Sequence, residues 1–299
     1  MNQDLSGILP ALITPLDDEG RLNTRSLEML LDRLYATGVH GVYLCGSTGE
    51  GLLQSSGQRR QVTEIVVRNS PPGKHVIVHV GAGTTSEAIE LARHAASAGA
   101  HAVSSLPPIG GGYSFDEIKR FYERLAGASD LPLLLYYFPE AAPAVKTAEQ
   151  ILELCAIPNV VGLKYTDYDL YTMLRLKRQG ATVFYGRDEM IAAGLLFGAD
   201  GGIGSFYNVI PNLFLKLRHL VLESEYDAAM GDQALINECI RITLRYPLIP
   251  ALKTILGWTG IDCGPCIAPR RERLTADEAQ RLRAELSEAG LIEHLVEAR

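Results

Sequence analysis

The segment VVGLKYTD, residues 160–167, places a lysine at the end of a run that is otherwise apolar or small. A continuous apolar run of this length is typical of a strand buried on both faces, as in a parallel sheet covered by helices. Lys164 stands where that strand ends. A lysine among apolar neighbours is costly unless its charge is suppressed or used in chemistry. From this segment alone, a lysine that snorkels to solvent is an equally good explanation.

Seven more strand-like segments accompany this one, and helical segments separate them. In chain order the eight are ILPALITPL (8–16), HGVYLCG (40–46), HVIVHVGAG (75–83), HAVSSLPP (101–108), LPLLLYYFP (131–139), NVVGLKYT (159–166), ATVFYGRD (181–188) and ADGGIGSF (199–206). Capping boxes predict the starts of three helices, at Thr84 with Glu87, Ser114 with Glu117, and Thr147 with Gln150. Eight strand and helix units predict an α/β fold, a (β/α)8 TIM barrel, with a doubly wound open sheet as the lesser alternative.

The strand pattern stops before residue 210, and the remainder reads as helix, with another capping box at Thr275 and Glu278. We therefore expect a barrel domain over residues 1–209 and a C-terminal helical domain over residues 210–299. The segment ECIRITLRYPLIPALKTILGW, residues 238–258, is too apolar to be a free appendage. It should pack on the barrel or on another subunit.

The composition excludes several classes of partner. The 299 residues carry a net charge of −7 without long runs of one sign, which gives no electrostatic case for nucleic acid or membrane binding. The first residues lack the pattern of a signal peptide, and no segment is apolar for long enough to span a bilayer, so we expect a cytoplasmic protein. Cys263 and Cys266 form a C-x-x-C motif, but IAPRRERL (267–274) follows it, so we expect a loop between helices and no redox site.

The barrel prediction gives position a functional meaning, because active sites of such barrels lie at the carboxyl ends of the strands. The residues predicted to converge there are Ser47, Thr48, Tyr136, Lys164, Asp188, Glu189 and Ser205. A neutral lysine amine attacks a ketone to form an imine, which accepts electrons when an adjacent carbon–carbon bond breaks. A tyrosine such as Tyr136 can exchange the accompanying proton, although taken alone it is more readily explained as a core aromatic residue.

The stretch GSTGEG, residues 46–51, supplies a third element. Its glycines allow successive backbone amides to face one anion, and the hydroxyls of Ser47 and Thr48 add donors. The lysine and glycine spacings of nucleotide-binding loops are missing, so a carboxylate is the expected ligand. An isolated GSTG would be an ordinary turn.

Five motifs together resemble the dihydrodipicolinate synthase / N-acetylneuraminate lyase family of class I aldolases: GSTGE (46–50), YYFP (136–139), GLKYTD (162–167), GRDE (186–189) and GADGGIGSFYN (198–208). The resemblance implies a barrel with a C-terminal helical domain, a homotetramer, and Schiff-base chemistry on a 2-keto acid without a metal or other cofactor. By position, Lys164 resembles the Schiff-base lysine and Tyr136 the catalytic tyrosine. Ser47 and Thr48 resemble the residues that bind the substrate carboxylate.

The residues expected around the substrate tail favour the lyase branch. Synthases of this family typically have an arginine shortly after the tyrosine motif, and YYFPEAAPAV (136–145) has none. Asp188 and Glu189 also have a purely structural explanation, as residues that cap the N-terminus of the helix EMIAAGLLFG (189–198) and complement its dipole. The resemblance implies cleavage of N-acetylneuraminate to pyruvate and N-acetylmannosamine, with a polyhydroxylated chain bound by Thr166, Gly186, Asp188, Glu189 and Ser205.

One feature departs from the family. Many members have a tyrosine in the loop where PPIGGGYSF (107–115) has Gly110 and Gly111, with Tyr113 nearby. Either a water or Tyr136 alone would then move the proton, and the pocket mouth would be wider. Four alternatives stay open: an aldolase or dehydratase of 2-keto-3-deoxy sugar acids, a dihydrodipicolinate synthase, a sugar-phosphate enzyme using GADGGIGS (198–205), and a non-catalytic sugar-acid binder. His75 and His79 read as structural residues, not as half of a metal site.

Overall fold

Eight parallel strands form the centre of the protein. The computed structural model describes residues 5–108, 112–141 and 143–295. The strands are β1 (Gly7–Pro10), β2 (Gly41–Leu44), β3 (His75–His79), β4 (Ala102–Ser105), β5 (Leu133–Tyr137), β6 (Val160–Tyr165), β7 (Thr182–Tyr185) and β8 (Gly201–Gly204). From β2 to β8, strands that are neighbours in sequence pair in parallel, and β8 pairs with β1. The ring closes between β1 and β2, where Ala11 bridges Tyr43. The predicted (β/α)8 TIM barrel is confirmed.

Helices follow the strands and continue after the last one. They are α1 (Thr24–Thr37), α2 (Ser56–Asn69), α3 (Thr85–Ala98), α4 (Phe115–Ala126), α5 (Ala148–Cys155), α6 (Leu170–Arg178), α7 (Ile191–Leu196), α8 (Pro211–Leu222), α9 (Tyr226–Thr243), α10 (Leu248–Trp258) and α11 (Ala276–Glu288). Helix α8 packs on β1, α1 and α7, so it takes the place of the eighth barrel helix. Helices α9 to α11 extend the chain beyond the barrel. The division into domains at residues 209 and 210 stays a prediction.

The predicted capping boxes differ in how completely they form. Both hydrogen bonds are present for the boxes that begin α4, α5 and α11. At α3 the hydroxyl of Thr84 accepts the Glu87 amide at 3.2 Å, but the Glu87 side chain does not return to the cap. It accepts a hydrogen bond from Ser56 on the neighbouring helix α2 instead. A tertiary contact thus replaces half of a local one.

Side chains alternate between the inside of the barrel and the surrounding helices, as the two-residue period of a strand requires. A separate inner cluster contains Leu9, Ala11, Tyr43, Ile77, Ala102, Leu134, Phe184 and Ile203. On β6, Leu163 and Tyr165 belong to the outer core between strands and helices. Lys164 lies between them in sequence and therefore points inward, at the carboxyl end of its strand.

The C-x-x-C motif lies in the loop between α10 and α11, as predicted. Cys263 and Cys266 are both buried and are not joined in a disulfide. Burial raises the pKa of each thiol to about 12, so neither is a ready thiolate nucleophile. In residues 5–108, 112–141 and 143–295, no helix has the length and apolarity needed to cross a bilayer.

Candidate active site

Lys164 occupies an aromatic corner inside the barrel. The residue is 6% exposed, and its Nζ lies 4.1 Å from the ring centroid of Tyr136 and 5.0 Å from that of Tyr43. The two rings are nearly perpendicular, at 86°. Among the described residues no carboxylate lies within ion-pair distance of this amine. The alternative explanation, in which Lys164 snorkels to solvent, therefore does not agree with the structure. Lys164 is a buried amine without a carboxylate partner among the described residues.

Tyr136 is the partner of Lys164 across the β5–β6 pair and is 5% exposed. Burial alone would raise the pKa of its phenol, but the charge of Lys164 and polar contacts with Lys164, Ser47 and Thr166 lower it below the ordinary value. A tyrosine with a lowered pKa reaches the phenolate form more easily. The arrangement thus places a proton acceptor beside the amine.

The loop of residues 46–51 is fixed to its surroundings by several hydrogen bonds. The Gly49 carbonyl accepts from Thr14 Oγ1 at 2.8 Å and from Gln54 Nε2 at 2.6 Å. The hydroxyls of Thr48 and Ser205 lie 2.6 Å apart, which joins this loop to the end of β8. Ser47 is exposed and Thr48 is buried. The structure therefore brings these three predicted site residues together beside Tyr136.

Asp188 is a buried carboxyl whose two oxygens differ. Its Oδ2 accepts a hydrogen bond from the Phe206 amide at 3.0 Å, whereas Oδ1 is buried and has no hydrogen-bond partner among the described residues. Burial, opposed by the Phe206 amide, raises the pKa of this carboxyl to about 7. This oxygen packs against Gly204, where a Cβ atom would lie 1.8 Å from it, so the carboxyl is enclosed by the end of β8.

Glu189 lies nearer the surface, where its Oε1 accepts a hydrogen bond from the Tyr168 hydroxyl at 2.7 Å. Helix α7 begins at Ile191, and its cap residue Met190 makes no side-chain hydrogen bond to the helix. Neither Asp188 nor Glu189 is therefore a helix cap in this structure. Capping therefore does not explain the two carboxylates, but both lie in the first turn of a short 3-10 helix (Asp188–Met190) that leads into α7, where acidic side chains complement the helix dipole.

Gly186 leaves space next to the lysine. A Cβ atom at this position would lie 2.0 Å from Thr166 Oγ1 and 3.4 Å from Lys164 Cε. Only glycine keeps both neighbours where they are. Gly186 and Thr166 thus lie next to Lys164, and their predicted role in binding the substrate tail stays a prediction.

Two residues near the site were not predicted from the sequence. Tyr43 forms the second face of the aromatic corner, and the alternation of Val42, Tyr43 and Leu44 in β2 could have identified it as inward-facing. Arg187 lies at the rim, with its guanidinium 4.2 Å from the Tyr168 ring and 3.7 Å from Glu140. No sequence pattern indicated that stack, because it depends on three different loops.

Of the remaining candidates, His79 lies at the aromatic corner, with its ring centroid 6.2 Å from that of Tyr136 and 6.3 Å from that of Tyr43. His79 accepts the Leu106 amide at 3.1 Å, and burial holds its pKa well below the usual range, which agrees with a structural role. Tyr113 is 37% exposed. Gly110 and Gly111 lie outside the described residues, so their predicted effect on the pocket mouth stays a prediction.

A buried lysine beside a tyrosine, at the carboxyl ends of barrel strands, defines the arrangement of a class I aldolase. The model of the dihydrodipicolinate synthetase family matches residues 4–289 of the chain. The chain therefore belongs to that family, and it is a lyase of the class I aldolase type.

Relatives of known name give a consistent result. The chain is 35% identical over 277 residues to N-acetylneuraminate lyase of Rhizobium meliloti, covering 92% of each protein. It is 34% identical over 268 residues to N-acetylneuraminate lyase of Escherichia coli, covering 89% of this chain and 90% of the other. Among solved structures, Ruminococcus gnavus sialic acid aldolase superposes with a TM-score of 0.90 at 27% identity, covering 96% of this chain and 99% of that one.

Proposed function

We propose that the protein cleaves a 2-keto sugar acid through a Schiff base on Lys164, and that this acid is N-acetylneuraminate. The observation that carries the proposal is the buried amine of Lys164, 4.1 Å from the Tyr136 ring and without a carboxylate partner among the described residues. Relatives named N-acetylneuraminate lyase or sialic acid aldolase support the choice of substrate.

The first half of the reaction forms the imine. The Lys164 amine attacks the C2 ketone of the open-chain sugar acid, and one water leaves as the carbon–nitrogen double bond forms. The substrate carboxylate rests on Ser47 and Thr48. The protonated imine is cationic, and the ring faces of Tyr136 and Tyr43 stabilise a cation at that position.

The second half breaks the C3–C4 bond. Tyr136, as phenolate, takes the proton of the C4 hydroxyl, and C4 becomes the aldehyde carbon of N-acetylmannosamine. The bonding pair moves toward the imine nitrogen and leaves an enamine on Lys164. Protonation at C3 and addition of one water then release pyruvate and restore the free amine.

The tail of the sugar acid lies toward the opposite side of the mouth. Asp188 is enclosed against Gly204, so it supports this part of the site from behind through the hydrogen bond that it accepts from the Phe206 amide. Thr166, Gly186, Glu189 and Ser205 complete this part of the site. Glu189 would have to share its carboxylate between Tyr168 and the substrate.

The proposal extends to the setting of the reaction. The proposed chemistry uses only side chains, so it needs no metal or organic cofactor. The substrate is a small-molecule 2-keto acid, and the proposed location is the cytoplasm. Assembly as a homotetramer would cover large apolar side chains that are exposed in the single chain, among them Tyr171 on α6, Leu222 on α8 and Met230 on α9. Light scattering of the purified protein measures that assembly.

Two assays test the proposal. Pyruvate release from N-acetylneuraminate tests the substrate, and borohydride reduction in the presence of pyruvate, followed by mass spectrometry, tests imine formation at Lys164. Release together with trapping supports the whole proposal.

Trapping without release would remove N-acetylneuraminate and direct the search to 2-keto-3-deoxy sugar acids, cleaved or dehydrated. A thermal shift with ligand but no trapping would contradict the Schiff base and indicate a non-catalytic binder.

A further inference from the structure

Glu50 lies two residues after Thr48, within the loop of residues 46–51, and has an unusual backbone conformation. Its φ is +57°, in the left-handed region, and it is 2% exposed. A residue with a Cβ occupies that region at a cost in free energy and persists there only when its surroundings fix it. The next amide, of Gly51, donates to the Gly46 carbonyl at 3.0 Å. The conformation of Glu50 therefore sets how residues 46–51 close on themselves.

The side chain of Glu50 is held by the segment that follows the barrel. Its Oε1 lies 2.8 Å from Nζ of Lys253 on α10, and its Oε2 accepts the Ile267 amide at 2.7 Å. Lys253 Nζ also donates to the Pro265 carbonyl at 2.7 Å. The side chains of Glu50 and Lys253 are 0% and 4% exposed. Both charges are thus desolvated, paired and hydrogen bonded to a loop distant in sequence.

From these contacts we infer that Glu50 and Lys253 are positioning residues: their buried ion pair lets the helices after the barrel hold the Ser47–Thr48 loop ready for the substrate carboxylate. The inference rests on the proposed function, in which that loop binds the carboxylate. It gives the C-terminal segment a role in catalysis.

A glycine at position 50 would meet the backbone requirement without strain. The chain has a glutamate there, and its carboxylate makes two polar contacts with the C-terminal segment, one with Lys253 and one with the Ile267 amide. A purely local turn needs no such anchor. The choice of an acid at a strained position indicates that the anchor itself matters.

The test compares the ion pair with a second pair of the same length. Glu50→Gln, Lys253→Met and the double variant remove one or both charges with little change in volume. Lys216→Met controls for the loss of a lysine from an ion pair of equal length: Lys216 on α8 pairs with Asp232 on α9 at 2.8 Å, has a side chain that is 62% exposed, and makes no hydrogen bond to residues 46–51. Borohydride trapping is measured against the concentration of pyruvate and of methyl pyruvate, which lacks the carboxylate charge.

We expect the double variant to need at least about tenfold more pyruvate for half-maximal trapping. Its maximal trapping rate should stay within about threefold of the parent rate, because only the binding of pyruvate is weakened. In the double variant, trapping by methyl pyruvate should change little. The single variant Lys253→Arg, which keeps the positive charge, should keep most of the pyruvate affinity. Lys216→Met should resemble the parent in both assays.

The inference is overturned if the folded double variant or Glu50→Gly, each with native circular dichroism, responds to pyruvate as the parent does. An equal loss with both ketones would also overturn it, because a general structural defect does not distinguish them. Failure of the proposed function has a different signature, since the parent enzyme itself would then not be trapped.

Discussion

Lys164 and Tyr136 are paired residues on the adjacent strands β6 and β5, and the lysine Nζ lies 4.1 Å from the centre of the tyrosine ring. Side chains paired in this way leave the sheet on the same face and in parallel. The register of two strands, rather than a flexible loop, thus determines the distance between amine and phenol. A site held by strand register is rigid before substrate arrives, which is what differential stabilisation of a transition state requires.

Replacement of Lys164 by alanine should abolish both pyruvate release and borohydride trapping. The amine is the nucleophile in the proposed reaction, so we expect a loss of at least about a thousandfold in kcat. The fold should persist, because the buried ammonium has no carboxylate partner to lose among the described residues. Circular dichroism and urea unfolding check the fold. Lys164→Met, which fills the same volume, controls for the cavity left by alanine, and substantial turnover by either variant would contradict the assignment.

Replacement of Tyr136 by phenylalanine should separate imine formation from bond cleavage. Trapping with pyruvate should continue, whereas kcat for cleavage should fall by about a hundredfold to ten-thousandfold, the usual contribution of a positioned acid or base. In the parent enzyme kcat should rise with pH through the lowered pKa of Tyr136, since the phenolate accepts the proton. The variant should lose that rise.

Tyr137→Phe is the matched control for this variant, because Tyr137 precedes the same loop but stacks on Tyr165 in the outer core. Burial raises the pKa of Tyr137 to about 12. If the pH profile of kcat changed in Tyr137→Phe and not in Tyr136→Phe, the titrating tyrosine would be Tyr137, which faces the helices. That result would contradict the assignment of Tyr136.

The barrel and the Lys164–Tyr136 pair could be predicted because they depend on local patterns. Apolar runs identify buried strands, and a two-residue period identifies which side chains point inward. By the same rule Tyr43 could have been found, since its strand neighbours Val42 and Leu44 face the helices and it must then point inward. Strand ends then locate the site.

The contacts that sequence could not give are those between distant segments. Thr48 and Ser205 are 157 residues apart in the chain, yet their hydroxyls hydrogen bond. The pairing of Glu50 with Lys253 and the diversion of Glu87 from its cap to Ser56 are of the same kind. Each depends on how helices and loops pack, which no local period encodes.

Replacement of Gly186 by alanine should damage the site more than the fold of the strand. The added methyl would lie 2.0 Å from Thr166 Oγ1 and 3.1 Å from its Cβ, so the threonine beside the lysine must move. We expect a loss of about 1–3 kcal/mol in the free energy of unfolding, typical of overpacking, and a raised KM for the sugar acid. Urea unfolding and steady-state kinetics measure the two effects.

Two controls isolate the clash at Gly186. Gly186→Ala with Thr166→Ala removes the threonine oxygen that the methyl meets at 2.0 Å but leaves the Cβ of residue 166 at 3.1 Å, so most of the stability should return while KM stays high. Gly231→Ala on α9 adds a methyl with no heavy atom within 4 Å and should stabilise by about 0.5–1 kcal/mol, as alanine does within a helix. Equal stability of parent and Gly186→Ala would show that the strand adjusts.

The buried carboxyl of Asp188 should make the stability of the protein depend on pH. Its pKa rises from 3.8 to about 7, chiefly because burial disfavours the charged form. Between those values the folded protein keeps a proton that the unfolded chain has released. The contribution of Asp188 to the free energy of unfolding is therefore complete below about pH 4 and is lost as the pH rises through about 7, a total of roughly 4 kcal/mol at about 1.4 kcal/mol per pH unit.

Asp188→Asn isolates that contribution, because its amide oxygen can still accept the Phe206 amide while the group no longer titrates. The measurement is the difference in free energy of unfolding between parent and variant, from urea curves at pH 5 and pH 8. Other titrating groups cancel in this difference. Relative to the variant, the parent should be more stable at pH 5 than at pH 8. A difference that stays constant would mean that Asp188 is already ionised in the folded enzyme, and that water or a neighbouring group compensates its unpaired oxygen.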